Sequence, residues 1–132
     1  MKNMKKAIEQ CMTVHEEGNS GGLGAVFVFP ENFIGFQGHF PGNKILPGIC
    51  QIQSALCMLE RSKGKRAVLR EIVSAKFFSP VLPAEELTCR GGITAEADGS
   101  VILKASFSKN GGKVSEMKLR VRFEHEDPYQ RG

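Results

Sequence analysis

The chain has 132 residues, a length that suits one domain over 1–132, because a single hydrophobic core usually organises roughly 100 to 200 residues. Hydrophobic residues make up 41% and charged residues 24%, close to soluble globular averages, which argues against global disorder, a collagen-like repeat or a membrane span. Eighteen Lys plus Arg against fourteen Asp plus Glu leave a net charge of +4, a mild basicity that favours an acidic partner without identifying one.

The N-terminal run MKNMKKAIEQ breaks its apolar stretch at Glu9 and Gln10, before a signal-peptide core can form, so the expected address is the cytoplasm. Residues 7–14 (AIEQCMTV) satisfy neither the helical nor the strand period cleanly; a first strand is the expectation. Gly18, Asn19, Ser20, Gly21 and Gly22 form a turn cluster, and GAVFVF at 24–29 follows as a β-branched and aromatic strand ended by Pro30, which together predict a hairpin. From 31 to 48 the chain is rich in Gly, Pro and Phe, as expected of an irregular loop whose backbone approaches something closely. Pro47 suits the first position of a helix, and Ile49, Ile52, Leu56 and Leu59 follow at three- and four-residue steps, with Ala55 and Met58 widening the stripe. Gly64 supplies a left-handed stop. Beyond it, 67–78, 86–93, 101–108 and 114–123 read as strands, separated by PVLPAE, AEADGS and SKNGGK. In the last of these, Met117, Leu119, Val121 and Phe123 alternate with Lys118, Arg120 and Arg122, the mark of a sheet with one dry face. The pattern predicts an α+β fold in which an antiparallel sheet of five to six strands wraps one long central helix.

Cys11, Cys50, Cys57 and Cys89 are too few and too irregular for a stapled secreted domain, and no CxxC pair suggests zinc. If Cys50 and Cys57 share the helix, two turns put them about 10 Å apart, too far for a disulfide. They read as buried hydrophobes of a reducing compartment. Nucleotide motifs fail on inspection: the 18–24 glycine run does not match GxGxxG and precedes a strand, and Gly112-Lys113 has Phe107 and Val114 where a P-loop needs Gly and Ser or Thr.

Of the three histidines, His15 and His125 sit among glutamates in polar surroundings and are expected at the surface. His39 lies between glycines and phenylalanines in Phe36-Gln37-Gly38-His39-Phe40-Pro41-Gly42. An imidazole there can act as a base near neutral pH, or can be a structural, hydrogen-bonded histidine.

The longer string GFQGHFPGNKILPGICQIQSA (35–55) resembles the signature of the hot-dog-fold 3-hydroxyacyl-(acyl-carrier-protein) dehydratases, the FabA/FabZ group, approximately FxGHFPxxPxxPGxxxxEAxAQ. Gly38-His39-Phe40-Pro41 and Pro47-Gly48 match in identity and spacing, and Ile45 and Leu46 in character. A second block, AKFFSPVLPAEEL at 75–87, is similar to the family's KF-basic-basic-PV-x-PGD-x-L strand and turn. The resemblance spans roughly residues 24–123. It implies a hot-dog fold and a dehydratase of fatty-acid-type or related acyl-chain biosynthesis, with no cofactor and no metal. By the same resemblance His39 is the base that removes the Cα proton or handles the β-hydroxyl, and the backbone N–H of Gly48 meets the thioester carbonyl. That second role also has a physical basis, since the first turn of a helix carries unpaired N–H groups at the positive end of its dipole.

The family's helix carboxylate falls on position 53, where this chain has Gln53. A carboxamide orients a hydroxyl or a water but delivers no proton, and losing a general acid typically costs about 10²- to 10⁴-fold. Glu60 stands about 10 Å further along the helix, while Glu31 and Glu85 stay open as substitutes. Lys44 and Ala84 replace a usual proline and the turn glycine, and Phe78 and Ser79 stand where the family tends to carry basic residues beside its tunnel mouth. Phe36, Phe40, Pro47, Ile49, Phe77 and Phe78 are the candidate lining of an acyl tunnel; Ile49, Phe77 and Phe78, with Leu56 and Met58, are also expected in the core.

The implied partners are an acyl carrier protein or coenzyme A thioester and a second copy of the chain, paired edge to edge so that Gln53 complements the other copy's His39. Arg61, Lys63, Lys65, Arg66 and Arg70 offer a basic surface for the carrier or a solvated face. Nucleic acid is not expected, since no aromatic interleaves that cluster, nor is a membrane, given the composition and the lack of a membrane signal. Two other readings accompany dehydration: thioester hydrolysis, with Gln53 and His39 positioning water, and a non-catalytic carrier-binding or heterodimer subunit.

Overall fold

In the computed structural model, which describes residues 4–17, 22–37 and 44–124, the chain runs α1 (Met4–Gln10), β1 (Met12–Glu17), β2 (Gly22–Val28), a 3-10 turn (Ile34–Phe36), α2 (Gly48–Lys63), β3 (Ala67–Phe77), β4 (Glu86–Ala95), β5 (Val101–Lys109) and β6 (Gly112–Phe123). The strands form one six-stranded sheet in the order β1-β2-β4-β5-β6-β3, every pair antiparallel. This is the α+β hot-dog arrangement that the resemblance implies. His39, Phe40, His125 and most of the 18–22 turn cluster lie outside the described residues.

The N-terminal segment differs from the expected strand. Met4, Ala7, Ile8 and Cys11 fall three and four residues apart and pack on the core as a helical stripe, Ile8 fully buried. The Cys11 N–H then bonds the Ile8 carbonyl at 2.9 Å and the chain turns into β1. The window 7–14 straddles this helix-to-strand junction, which is why it showed neither period.

Helix α2 carries the core. Cys50, Ala55, Met58 and Leu59 are buried on its inner side, facing Ala25, Phe27, Leu87, Cys89, Leu103, Phe107, Leu119 and Val121 from the sheet. Pro47 caps the helix from outside, with φ −62° and ψ 148°, and so is not its first residue; Gly48 is. The pyrrolidine ring tolerates either place, because neither uses the missing N–H. At the other end Gly64 adopts φ +66° and its N–H bonds the Glu60 carbonyl at 2.8 Å, as the sequence predicts. Asn110 (φ 50°) and Gly111 (φ 77°) turn β5 into β6, both in the left-handed region that a two-residue hairpin demands.

Strand β3 lies at one edge of the sheet, paired only with β6. Its Ile72 and Val73 are 45% and 42% exposed. Among the described residues, no helix is long and apolar enough to cross a membrane.

Candidate active site at the start of helix α2

The start of α2 is built to leave amides open. Cys50 and Gln51 both donate their N–H groups to the Pro47 carbonyl, at 3.0 and 3.3 Å. No side chain caps the helix and no acidic residue occupies its first turn. Gly48 and Ile49 therefore keep N–H groups without an acceptor among the described residues, at the positive end of the helix dipole. The Leu46 N–H bonds the Val81 carbonyl at 2.9 Å and fixes the approach of the preceding loop.

Of Gly48 and Ile49, the glycine lines a cavity of about 530 Å³, together with Ile45, Leu46, Gln51, Phe77, Phe78, Ser79 and Pro80. Phe77 and Phe78 were expected both in the core and as lining of an acyl tunnel; they are 47% and 52% exposed, outside the core, and wall the cavity. The reason is positional: both lie where edge strand β3 ends, so no further strand covers them. The Phe77 ring sits so close over the helix start that a Cβ on residue 48 would lie 2.8 Å from its Cζ. Glycine is what fits beneath it. Ile49, likewise expected in the core, is 55% exposed, whereas Met58 is fully buried and Leu56 partly buried against the core. Pro47 is the helix cap and is not among the residues that line the cavity. Phe36 is in the core rather than the cavity, packed edge-on to Phe33 at 5.8 Å between centroids.

Gln53 points elsewhere. At about 100° per residue, position 53 is turned about 140° from Gly48, and its half-buried side chain lines a smaller cavity of about 110 Å³ with Lys5, Leu56, Cys57, Glu60 and Ala67. The structure thus joins Gly48, Phe77 and Phe78 in one cavity and puts Gln53 in another.

Of the substitute acids, Glu31 is exposed, with its backbone carbonyl accepting from the Lys44 ammonium at 3.3 Å, and the other two are engaged. Glu60 accepts the Ala67 N–H at 2.8 Å through one oxygen and the Lys5 ammonium at 2.8 Å through the other, tying α1 and β3 to α2. Glu85 accepts the Leu82 N–H at 2.7 Å and the Lys109 ammonium at 2.9 Å. Those two bonds, the backbone one first, hold its carboxyl below the usual carboxylate range, so at neutral pH it is ionised and has no proton to give. Cys57 beside Gln53 is no nucleophile: burial, and then the charges of Glu9 and Glu60, push its thiol up to about 12. Among the described residues, no group of three or more His, Cys, Asp or Glu is placed to hold a metal ion.

Sequence reading missed two features. Gln51 and Ser115 are 2% and 0% exposed and meet across the core, the serine hydroxyl donating to Gln51 Oε1 at 2.6 Å. The available signal was a serine on the inward register of β6, two residues before Met117, and a glutamine three residues after Gly48, on the same helix face. The second is Lys113. Its ammonium stands 5.6 Å over the Phe78 ring, so a cation reaches the cavity mouth from β6, although positions 78 and 79 are not basic. The expected basic surface after α2 is present, with Arg61, Lys63, Lys65, Arg66 and Arg70 all exposed. Arg66 lies 3.7 Å from Glu124, and Lys65 is 5.4 Å over the Phe123 ring.

A family model described as ApeI-like, ApeI dehydratase, matches residues 15–118. The 3-hydroxyacyl-(acyl-carrier-protein) dehydratase FabZ of Enterococcus faecalis is 35% identical over 91 residues, 64% of each chain. The FabZ of Alkaliphilus metalliredigens is 42% identical over 67 residues, 46% of each chain. The match thus spans less than two thirds of the length of these curated relatives. Among solved structures, the dehydratase heterocomplex ApeI:P from Xenorhabdus doucetiae aligns with a TM-score of 0.67 at 20% identity, covering 81% of this chain and 92% of that one. The PaaI protein of E. coli, from the phenylacetic acid degradation operon, aligns at 0.66 with 11% identity, covering 92% and 91%. A hypothetical thioesterase with coenzyme A from Streptococcus pneumoniae aligns at 0.64 with 12% identity, covering 96% and 98%. At these identities the structures speak to the fold alone.

Proposed function

Because the chain belongs to the ApeI-like dehydratase family, we propose that it is a hot-dog lyase that removes water from a 3-hydroxyacyl thioester, or adds it to the enoyl thioester, on an acyl carrier protein or coenzyme A. The observation that carries this reading is the uncapped start of α2, where Gly48, its N–H without an acceptor among the described residues, lines a cavity walled by Phe77 and Phe78. A thioester carbonyl seated there gains donors aimed at the oxygen on which charge builds when the Cα proton leaves. The half-exposed phenylalanines give the acyl chain an apolar wall.

In this mechanism His39 is the base. It takes the Cα proton, the C–H electron pair becomes the new C=C bond, and the Cβ–O bond breaks. The leaving hydroxide needs one proton. Gln53 has none to give, so the proton returns from the His39 imidazolium and departs in water. Running without a separate acid, the reaction is slow by the same factor of about 10²- to 10⁴ that a general acid usually supplies. Lys113 and the basic surface after α2 suit an acidic carrier.

The test is incubation of the purified protein with 3-hydroxybutyryl and crotonyl thioesters, alongside Gln53→Glu. Slow interconversion that the glutamate accelerates is the expected result. No interconversion by either form refutes the reading, and release of free thiol with the β-hydroxyl intact moves the assignment to a thioesterase.

One further observation favours a second reading, a subunit of a hetero-oligomer. The acid is missing here, and the aligned ApeI:P structure is itself a dehydratase heterocomplex. Edge strand β3, with Ile72 and Val73 exposed, is the surface for pairing, with another copy or with an acid-bearing homologue. A sharp rise in turnover when such a homologue is added, with a heteromeric mass in solution, selects this reading over the homodimer.

A further inference from the structure

Gln51 is a polar residue in the core whose hydrogen-bonding capacity is only partly used. Its side chain is 2% exposed, and Oε1 accepts the Ser115 hydroxyl at 2.6 Å. The carboxamide nitrogen donates to no described residue. No fully buried side-chain nitrogen or oxygen among the described residues lacks a partner, and Gln51 helps to line the cavity at the helix start. An amide donor left facing apolar walls is unfavourable by roughly 1 to 3 kcal/mol. Such a group is kept where something comes to meet it.

The surroundings aim it at the helix start. Helical side chains lean toward the N-terminus and cover the turn before their own Cα. Gln51 therefore lies over residue 48, which has no side chain to compete for the space. Ser115 is the cross-strand partner of Phe77, the ring that rests on Gly48. Gly48, Phe77, Ser115 and Gln51 close a circuit around the open amides, and the serine fixes which end of the carboxamide faces the cavity.

We infer that the Gln51 side-chain N–H₂ is a second donor to the substrate carbonyl beside the Gly48 amide, with Ser115 as its positioning residue. This rests on the thioester reading above and adds a residue to it. The donor meets the thioester oxygen weakly in the ground state and more strongly as that oxygen becomes an enolate, so its effect falls on kcat rather than on KM.

The test compares the wild type with Gln51→Leu, Ser115→Ala and the double variant. The double variant removes both partners at similar volume and leaves no buried group unpaired, so it is expected to fold. Two readouts are taken: kcat and KM for crotonyl thioester hydration, and the infrared carbonyl stretch of bound ¹³C-labelled crotonyl-coenzyme A. In the double variant and in Gln51→Leu, kcat falls about 10²-fold with KM nearly constant, and the stretch moves to higher frequency. Ser115→Ala alone, which frees the carboxamide to turn, lowers kcat about 10-fold. Unchanged kcat and unchanged stretch in the double variant overturn the inference and leave the dehydratase reading standing. A wild type without turnover whose bound carbonyl still shifts on loss of Gln51 supports the inference and refutes dehydration. A wild type that neither turns over nor binds the thioester refutes both.

Discussion

Replacing Gly48 by alanine separates the catalytic account of the α2 start from a structural one, because the two predict different sizes of effect. The added Cβ would stand 2.8 Å from Phe77 Cζ and 3.2 Å from both Cε atoms. Reaching ordinary carbon contact at about 3.5 to 4.0 Å requires the ring to retreat by roughly 1 Å. Phe77 is 47% exposed, so it can swing outward, and the penalty stays at or below the lower end of the roughly 1 to 3 kcal/mol of a rigid overpacked core. Alanine also prefers a helix over glycine by up to about 1 kcal/mol. The net change in stability is within about 1 kcal/mol, a shift of only a few degrees in thermal midpoint. Catalysis responds differently. The methyl group fills the space through which a carbonyl reaches the Gly48 amide, and loss of one such donor costs about 10²- to 10³-fold, or about 3 to 4 kcal/mol of transition-state stabilisation. The assay is kcat/KM for crotonyl thioester hydration, followed by loss of the conjugated enoyl absorbance, beside thermal unfolding followed by circular dichroism. A variant with wild-type kcat/KM and an unchanged midpoint refutes the placement of the carbonyl at the helix start. A midpoint lowered by more than about 10 °C refutes the claim that Phe77 gives way.

Gly91→Ala is expected to behave in the opposite manner: its Cβ would lie 2.7 Å from the backbone oxygen of Lys104 and 3.4 Å from Met58 Cε under the helix. Because sheet backbone cannot swing aside, this variant loses about 1 to 3 kcal/mol in denaturant titrations, and undiminished stability would count against the described approach of β4 to β5. Ala84 holds φ 69° in the turn before β4, where an L-residue costs about 1 to 2 kcal/mol; Ala84→Gly, after allowing for glycine's larger chain entropy, gains about 0.5 to 1 kcal/mol by the same titration, and a loss would show that the left-handed turn is not the strained element. Cys57 gives a pH prediction. Its thiol goes from 9.0 to about 12 on folding, mainly through burial; a pKa raised in the folded state means stability fully present below pH 9 and lost as pH climbs toward 12, since only the unfolded chain ionises there. Thermal midpoints across that window should fall less steeply in Cys57→Ser, and equal slopes would refute the assignment.

Local rules made much of this chain legible. The stripe from Ile49 to Leu59, the left-handed stop at Gly64, the alternation from Met117 to Phe123 and the asparagine-glycine turn depend on neighbours within a few residues, and the structure agrees with each. The signature around Pro47-Gly48 also marks a helix start, and α2 does begin at Gly48. Where periods mix, the reading failed: the helix at Met4–Gln10 hid in a window that crosses into β1.

The remaining features come from contacts between residues far apart in sequence. Only the sheet order places β3 at an edge, and with it decides that Phe77 and Phe78, candidates for both core and lining, stay out of the core. Only the packing of α2 on β6 brings Ser115 to Gln51, 64 residues away, and only the pairing of β3 with β6 puts Lys113 over Phe78. Glu60 and Glu85 read as spare carboxylates in a list of residues, and in space each is occupied by a backbone N–H and a lysine. Apart from α1, the elements and the open helix start are legible along the chain, because they follow from backbone geometry and short-range burial. Which polar groups stay unpaired, and face the cavity at that helix start, was decided by the tertiary structure, because hydrogen bonding is satisfied through space and not along the chain.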